Sequence, residues 1–228
     1  PLAGANTGEP DSFGVRHSSQ LRTTPVASTF FPAAADGVVL LEPFGGLCAG
    51  LEMALRNGTA VKQYYYLDTN STSRRIAAHR IQQLMALYPR LLTAGAVQNA
   101  FALPQDIRQL TTRDLIAAGA SAPKHPWLVV AGWPCQDLSP AGTGAGLQGE
   151  RSSLLQDLVR VIGALQQLQP ELPPGYIIEN VAMQYHSKPA IAQQDYARIC
   201  WMFGYPTVLD AAQFCSLAVR VLNFWSKL

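Results

Sequence analysis

The chain has 228 residues, enough for one substantial core, and 48% of them are hydrophobic against 14% charged, which excludes a disordered chain. Lysine and arginine number 17 against 15 acidic residues, so a formal charge of +2 lacks the strong basic surplus of a dedicated nucleic-acid binder. No apolar run reaches the roughly eighteen residues of a membrane span, and no signal-peptide pattern opens the chain.

Residues 1–35 are rich in Gly, Pro, Ser, Thr and Ala without periodicity and read as a linker or flexible arm, leaving 36–228 as the folded domain. From Gly37 on, short apolar runs alternate with amphipathic stretches. Residues 38–41 form a buried strand, 47–55 a helix ending near Asn57-Gly58, 64–67 a second strand and 72–87 a helix. A short helix over 112–118 is capped by Thr111 or Thr112. Residues 127–130 are a strand running into a loop over 132–149, followed by a helix at 152–167 with Leu154, Leu155, Leu158, Val159 and Ile162 at helical spacing. A strand at 176–178, a helix at 191–203 and a terminal antiparallel strand pair at 206–209 and 219–225 complete the pattern. Such alternation predicts an α/β fold with a mostly parallel sheet, in which ligands sit where strands end.

The informative residues follow strands. Phe44-Gly45-Gly46 through Gly50 leaves the first strand and opens a helix, where glycine lets the backbone turn sharply and approach a ligand. The strict GxGxxG fingerprint is absent, so a plain tight turn is the competing reading. Asp68 ends the second strand, where an acid accepts hydrogen bonds from ribose hydroxyls, and Asp106 follows the next candidate strand, where it can accept from an adenine amino group. Together they point to an adenosine-type cofactor, without separating a nicotinamide from S-adenosylmethionine. Cys135, after a strand and a proline, sits at the mouth of the sheet, and Glu179 leaves the strand at 176–178 on the same edge. The four cysteines Cys48, Cys135, Cys200 and Cys215 have neither zinc-ligand spacing nor a disulfide pattern, and no metal is expected. His79 and His186 read as structural, Cys48 as a packing residue near the cofactor, and Trp201 and Trp225 as core.

Phe44-x-Gly46, Asp106-Ile107-Arg108, Trp133-Pro134-Cys135-Gln136 and Glu179-Asn180-Val181 together resemble the ordered motifs of the cytosine-5 DNA methyltransferase family. The similarity extends to Gln136-Asp137-Leu138-Ser139 and Arg151-Ser152-Ser153-Leu154, and covers residues 38–225. The terminal Arg220-x-Leu222-Asn223-Phe224-Trp225 is most similar to the de novo and domains-rearranged branches, though the motif order here is linear. The resemblance implies a Rossmann-like methyltransferase fold and S-adenosyl-L-methionine as cofactor, held by Phe44, Gly46, Gly50, Asp68, Asp106, Ile107 and Trp133. It further implies Cys135 as nucleophile, Glu179 and Arg220 as its catalytic partners, DNA as substrate through base flipping, and nuclear placement with epigenetic regulation in a eukaryote, otherwise cytoplasmic.

Two departures bear on activity. Leu222 stands where the family carries a second arginine, and leucine donates no hydrogen bonds. The family also continues into a recognition region and a closing segment, so the chain, opening on Pro1, reads as a fragment incomplete at its carboxyl end. A catalytically weak regulatory homologue and a tRNA cytosine-5 methyltransferase are the rival expectations. A homo- or hetero-oligomer stays open.

Overall fold

The computed structural model describes residues 36–139, 145–185, 189–214, 217 and 220–228. The expected arm at 1–35, part of the loop after Cys135, His186, Cys215 and Val219 lie outside these.

Apolar, β-branched and aromatic residues build the strands β1 (Val38–Pro43), β2 (Val61–Leu67), β3 (Trp127–Gly132) and β4 (Gly175–Val181). They pair in parallel, Leu41 opposite Tyr65 and Val129, and Gly132 opposite Glu179. The terminal strands β5 (Thr207–Asp210) and β6 (Val221–Lys227) form the expected antiparallel pair, but β6 inserts between β4 and β5, giving the order β2-β1-β3-β4-β6-β5. The sheet direction of chain travel switches between β1 and β3, which opens a crevice at their carboxyl ends.

Each face is sealed by helices whose apolar residues recur every three or four positions. On one face, α1 (Ala49–Arg56) sets Leu51, Ala54 and Leu55 against Leu40, Tyr64 and Leu128, and α2 (Ser71–Leu87) adds Ala77, Ile81 and Leu84. The start of α2 is fixed by Asn70, whose side chain accepts from the Thr72 and Ser73 amides. A short helix not expected from the sequence, α3 (Ala94–Val97), packs beside β2. On the other face lie α4 (Thr112–Ala117), opened by a Thr111–Asp114 capping box, then α5 (Leu154–Leu168) and α6 (Pro189–Phe203). Leu155, Leu158, Val161, Ile162 and Leu165 of α5 meet Val129, Tyr176 and Ile178 there.

Two expectations are corrected. Asp106 does not follow a strand; it caps a 3-10 turn over Ile107–Gln109, reached through a run of turns. Trp201 is almost fully exposed, because α6 buries the side carrying Asp195 and Ile199, whereas Trp225 is core as expected. Among the described residues no helix is long and apolar enough to cross a membrane.

Candidate active site

The turn leaving β1 is unusually wound. Phe44, Gly46 and Cys48 all have positive φ, at 58°, 48° and 59°. For the two non-glycine residues this costs of order 1–3 kcal/mol each, so neighbours must hold it. The Gly45 amide donates to the Leu67 carbonyl at 3.0 Å, and a Cβ on Gly45 would lie 2.5 Å from the Tyr66 ring. Asp68 accepts from the Gly46 amide at 3.1 Å and from the Asn70 amide at 2.8 Å, and the Tyr66 hydroxyl donates to the Gly46 carbonyl at 3.0 Å. The turn is thereby strapped to the end of β2.

Beneath it lies Glu42, a buried carboxylate that sequence reasoning did not place in the site. It accepts from the amides of Gly50 and Leu51 at 2.7 and 3.1 Å and from the Tyr64 hydroxyl at 2.7 Å. Burial pushes its pKa up to about 7 against those hydrogen bonds. An acid placed directly before a glycine turn and a helix start was the available signal. Cys48 is buried, as expected of a packing residue, and burial raises its thiol to about 12.

A cavity of about 360 Å³ opens at the strand ends, with Phe44, Asp68, Asp106 and Ile107 on its wall beside Gly132, Pro134 and Leu154. Asp68 and Asp106 stand on a wall of mixed character, with Phe44, Leu67 and Ile107 on one hand and Gln105, Glu150 and Arg151 on the other, and suit the hydroxyls and amino group of a nucleoside. Asp106 is already gripped by Arg108, with Nε 3.0 Å from both oxygens and Nη2 at 2.7 Å, which lowers its pKa. The turn carrying it is propped from α5: Arg160 donates to the carbonyls of Leu110 and Ile107 at 2.6 and 2.8 Å. Gly46 does not line the cavity but donates to Asp68, which does. Two further expected residues do not line it either. Gly50 is there for packing, since a Cβ would lie 2.8–2.9 Å from Val130 and Glu42. Trp133 turns into the core, its ring 5.8 Å from Trp225.

Cys135 lies three residues past the end of β3, half-buried and free of any disulfide. Its loop is fastened to β4 by Asn180, whose Nδ2 donates to the Trp133 carbonyl at 2.8 Å. Glu179, one residue earlier, sits opposite Gly132, where a Cβ would lie 2.8 Å from its Oε2. Burial raises the Glu179 pKa, with Arg220 pulling the other way from 3.9 Å. Its Oε1 is buried and among the described residues accepts no hydrogen bond. Burial thus favours the protonated form of this carboxyl more than solvent would, against the pull of Arg220. Leu222 stands opposite Val181, and strand alternation puts it on the same face as Glu179.

A doubly wound sheet with a nucleoside-sized cavity at its switch point, and a cysteine and a raised carboxyl on the next two strand ends, is the arrangement expected of a Rossmann-like methyltransferase. The chain belongs to the C-5 cytosine-specific DNA methylase family, whose model matches residues 67–214. It is 46% identical over 76 residues to the type II methyltransferase M2.BsuMI of Bacillus subtilis, covering 33% of this chain and 16% of that protein. Over 121 residues it is 31% identical to the orphan methyltransferase M.SssI of Spiroplasma monobiae, covering 50% and 29%. Among solved structures, the S. pombe Dnmt2 methyltransferase aligns over 83% of this chain and 48% of that chain, at 19% identity and a TM-score of 0.49. The chain spans less than a third of the length of these two curated relatives.

Proposed function

We propose that the protein methylates carbon 5 of cytosine in DNA, using S-adenosylmethionine and a covalent adduct at Cys135. The observation that carries this is the pairing of Cys135 with Glu179 on adjoining strand ends, the carboxyl raised by burial and its Oε1 without a hydrogen bond among the described residues. Phe44, Asp68, Asp106 and Ile107 would hold the cofactor, which supplies an electrophilic methyl group when bound.

The residues then divide the work. The Cys135 sulfur adds to carbon 6 of the base, and the displaced ring electrons reach nitrogen 3, where Glu179 gives a proton. Carbon 5 is thereby nucleophilic and takes the methyl group. Removal of the carbon-5 proton by a base, for which water serves, re-forms the double bond and expels the thiolate, and the nitrogen-3 proton returns to Glu179. Arg220 holds the Glu179 carboxylate once it is charged. Because the target atom is inside the duplex, the base must flip out.

The family description supports DNA rather than tRNA as substrate. The bacterial source of both curated relatives supports cytoplasmic placement over a nuclear, epigenetic one. Their greater length supports a recognition region elsewhere in the protein.

Duplex DNA containing 5-fluorocytosine tests the reading, because fluorine at carbon 5 cannot leave as a proton does. With S-adenosylmethionine present, full-length protein traps a denaturation-resistant adduct and Cys135→Ala does not. Equal trapping by the alanine variant removes Cys135 from the mechanism.

A further inference from the structure

We propose that Asp137 is a positioning residue that fixes the Cys135 turn onto the start of α5, an inference that rests on the reading of Cys135 as nucleophile. A carboxylate in a loop ordinarily faces water, yet Asp137 is 7% exposed. Burial of a charge is tolerated where donors surround it. Asp137 Oδ2 accepts from the Arg151 amide at 3.0 Å, the Ser152 amide at 3.1 Å and the Ser152 hydroxyl at 3.1 Å. These groups lead directly into α5, whose own cap residue Ser153 makes no side-chain capping bond. The carboxylate therefore meets amide donors in the turn that leads into the N-terminus of a fifteen-residue helix, the end that favours negative charge.

The same residue is built into the nucleophile's turn. The Cys135 carbonyl accepts from the amides of Leu138 and Ser139 at 2.9 and 2.7 Å, so Asp137 lies inside a turn that starts on Cys135. Its own carbonyl accepts from the Gly146 amide at 3.0 Å. Gly149 packs so closely that a Cβ there would lie 2.3 Å from Asp137 Cγ. Two residues before Cys135, the Trp133 carbonyl is held by Asn180 of β4. Cys135 is thus suspended between two buried polar clamps, one on the sheet and one on α5. A simple helix cap would stabilise α5 and leave the thiol's placement to other contacts; a clamp two residues from the sulfur sets both.

The test uses full-length Asp137→Asn and Asp137→Ala. In single turnovers with saturating DNA and S-adenosylmethionine, adduct formation on 5-fluorocytosine DNA slows roughly tenfold or more in the alanine variant, as expected for a displaced nucleophile. The asparagine variant, which keeps one acceptor oxygen, falls between. Cofactor affinity stays within about twofold of wild type, so the loss lies in the chemical step. Adduct formation at the wild-type rate in both variants, or a loss matched by weaker cofactor binding, overturns the proposal. If wild-type protein traps no adduct, the functional reading fails instead. Alkylation of Cys135 by iodoacetamide, referenced to Cys200 in the same molecule, then decides the positioning: a changed rate in Asp137→Ala supports it, and an unchanged rate overturns it.

Discussion

Asp68 and Asp106 flank one cavity but are held differently, and their substitutions separate two effects. Asp68 braces the Gly46 amide as well as facing the cavity, whereas Asp106 answers mainly to Arg108. Alanine at either position weakens S-adenosylmethionine binding by about 1–3 kcal/mol, the cost of stranding a polar group. Calorimetry on the whole protein checks this, and unchanged affinity in both folded variants removes them from the site. Leu222→Arg tests the departure from the family pattern. The side chain is half-buried on the face of Glu179, so a guanidinium there reaches water while joining Arg220. Turnover rises with the melting temperature unchanged; a stable variant with no gain shows that the site does not depend on a second arginine. Cys135, Glu179, Asp68 and Asp106 were legible because chemistry-bearing residues at motif spacing stand out in a loop. Trp133 was not, because its direction is set by Trp225 on a strand far along the chain. Asp137 was not, because in sequence a buried clamp looks like any solvated loop acid.

At the level of the element, α1 owes its placement to Glu42, which gathers its first amides from below. In the unfolded chain this carboxyl ionises near its ordinary 4.5, and in the fold near 7. As pH rises between those values the unfolded state loses its proton first, so the group's contribution is fully present below about 4.5 and gone above about 7. The span corresponds to about 3 kcal/mol. Denaturant unfolding of wild type and Glu42→Gln, compared at about pH 5 and about pH 8, shows the gap between them narrowing at the higher pH; an equal gap at both would mean an ordinary carboxyl. The amphipathic helices and apolar strands were readable from periodicity alone. The 3-10 turn bearing Asp106 was not, since nothing local distinguishes it from the end of a strand; Arg160, donating from α5, holds it. Helix α3 is four residues of small or β-branched type and carries no periodic signal.

Across the molecule, the sheet separates two apolar clusters, one with α1 and α2, the other with α4, α5 and α6. Alternating strands and helices announced that arrangement, while the insertion of β6 between β4 and β5 did not follow from any local pattern, because it is decided by pairing between distant segments. That insertion has a consequence for synthesis. As the chain leaves the ribosome, β4 pairs with β3 but keeps an open edge, and β5 emerges with no strand beside it until residues 221–227 follow. Until then the strand that carries Glu179 borders solvent, Trp133 lacks Trp225, and a nascent chain offers neighbours an unpaired edge of the kind that aggregates. Strand β6, which follows both β4 and β5 in the chain, is therefore the wedge that joins them, and a ribosome stalled before it holds the nucleophile beside an unfinished wall.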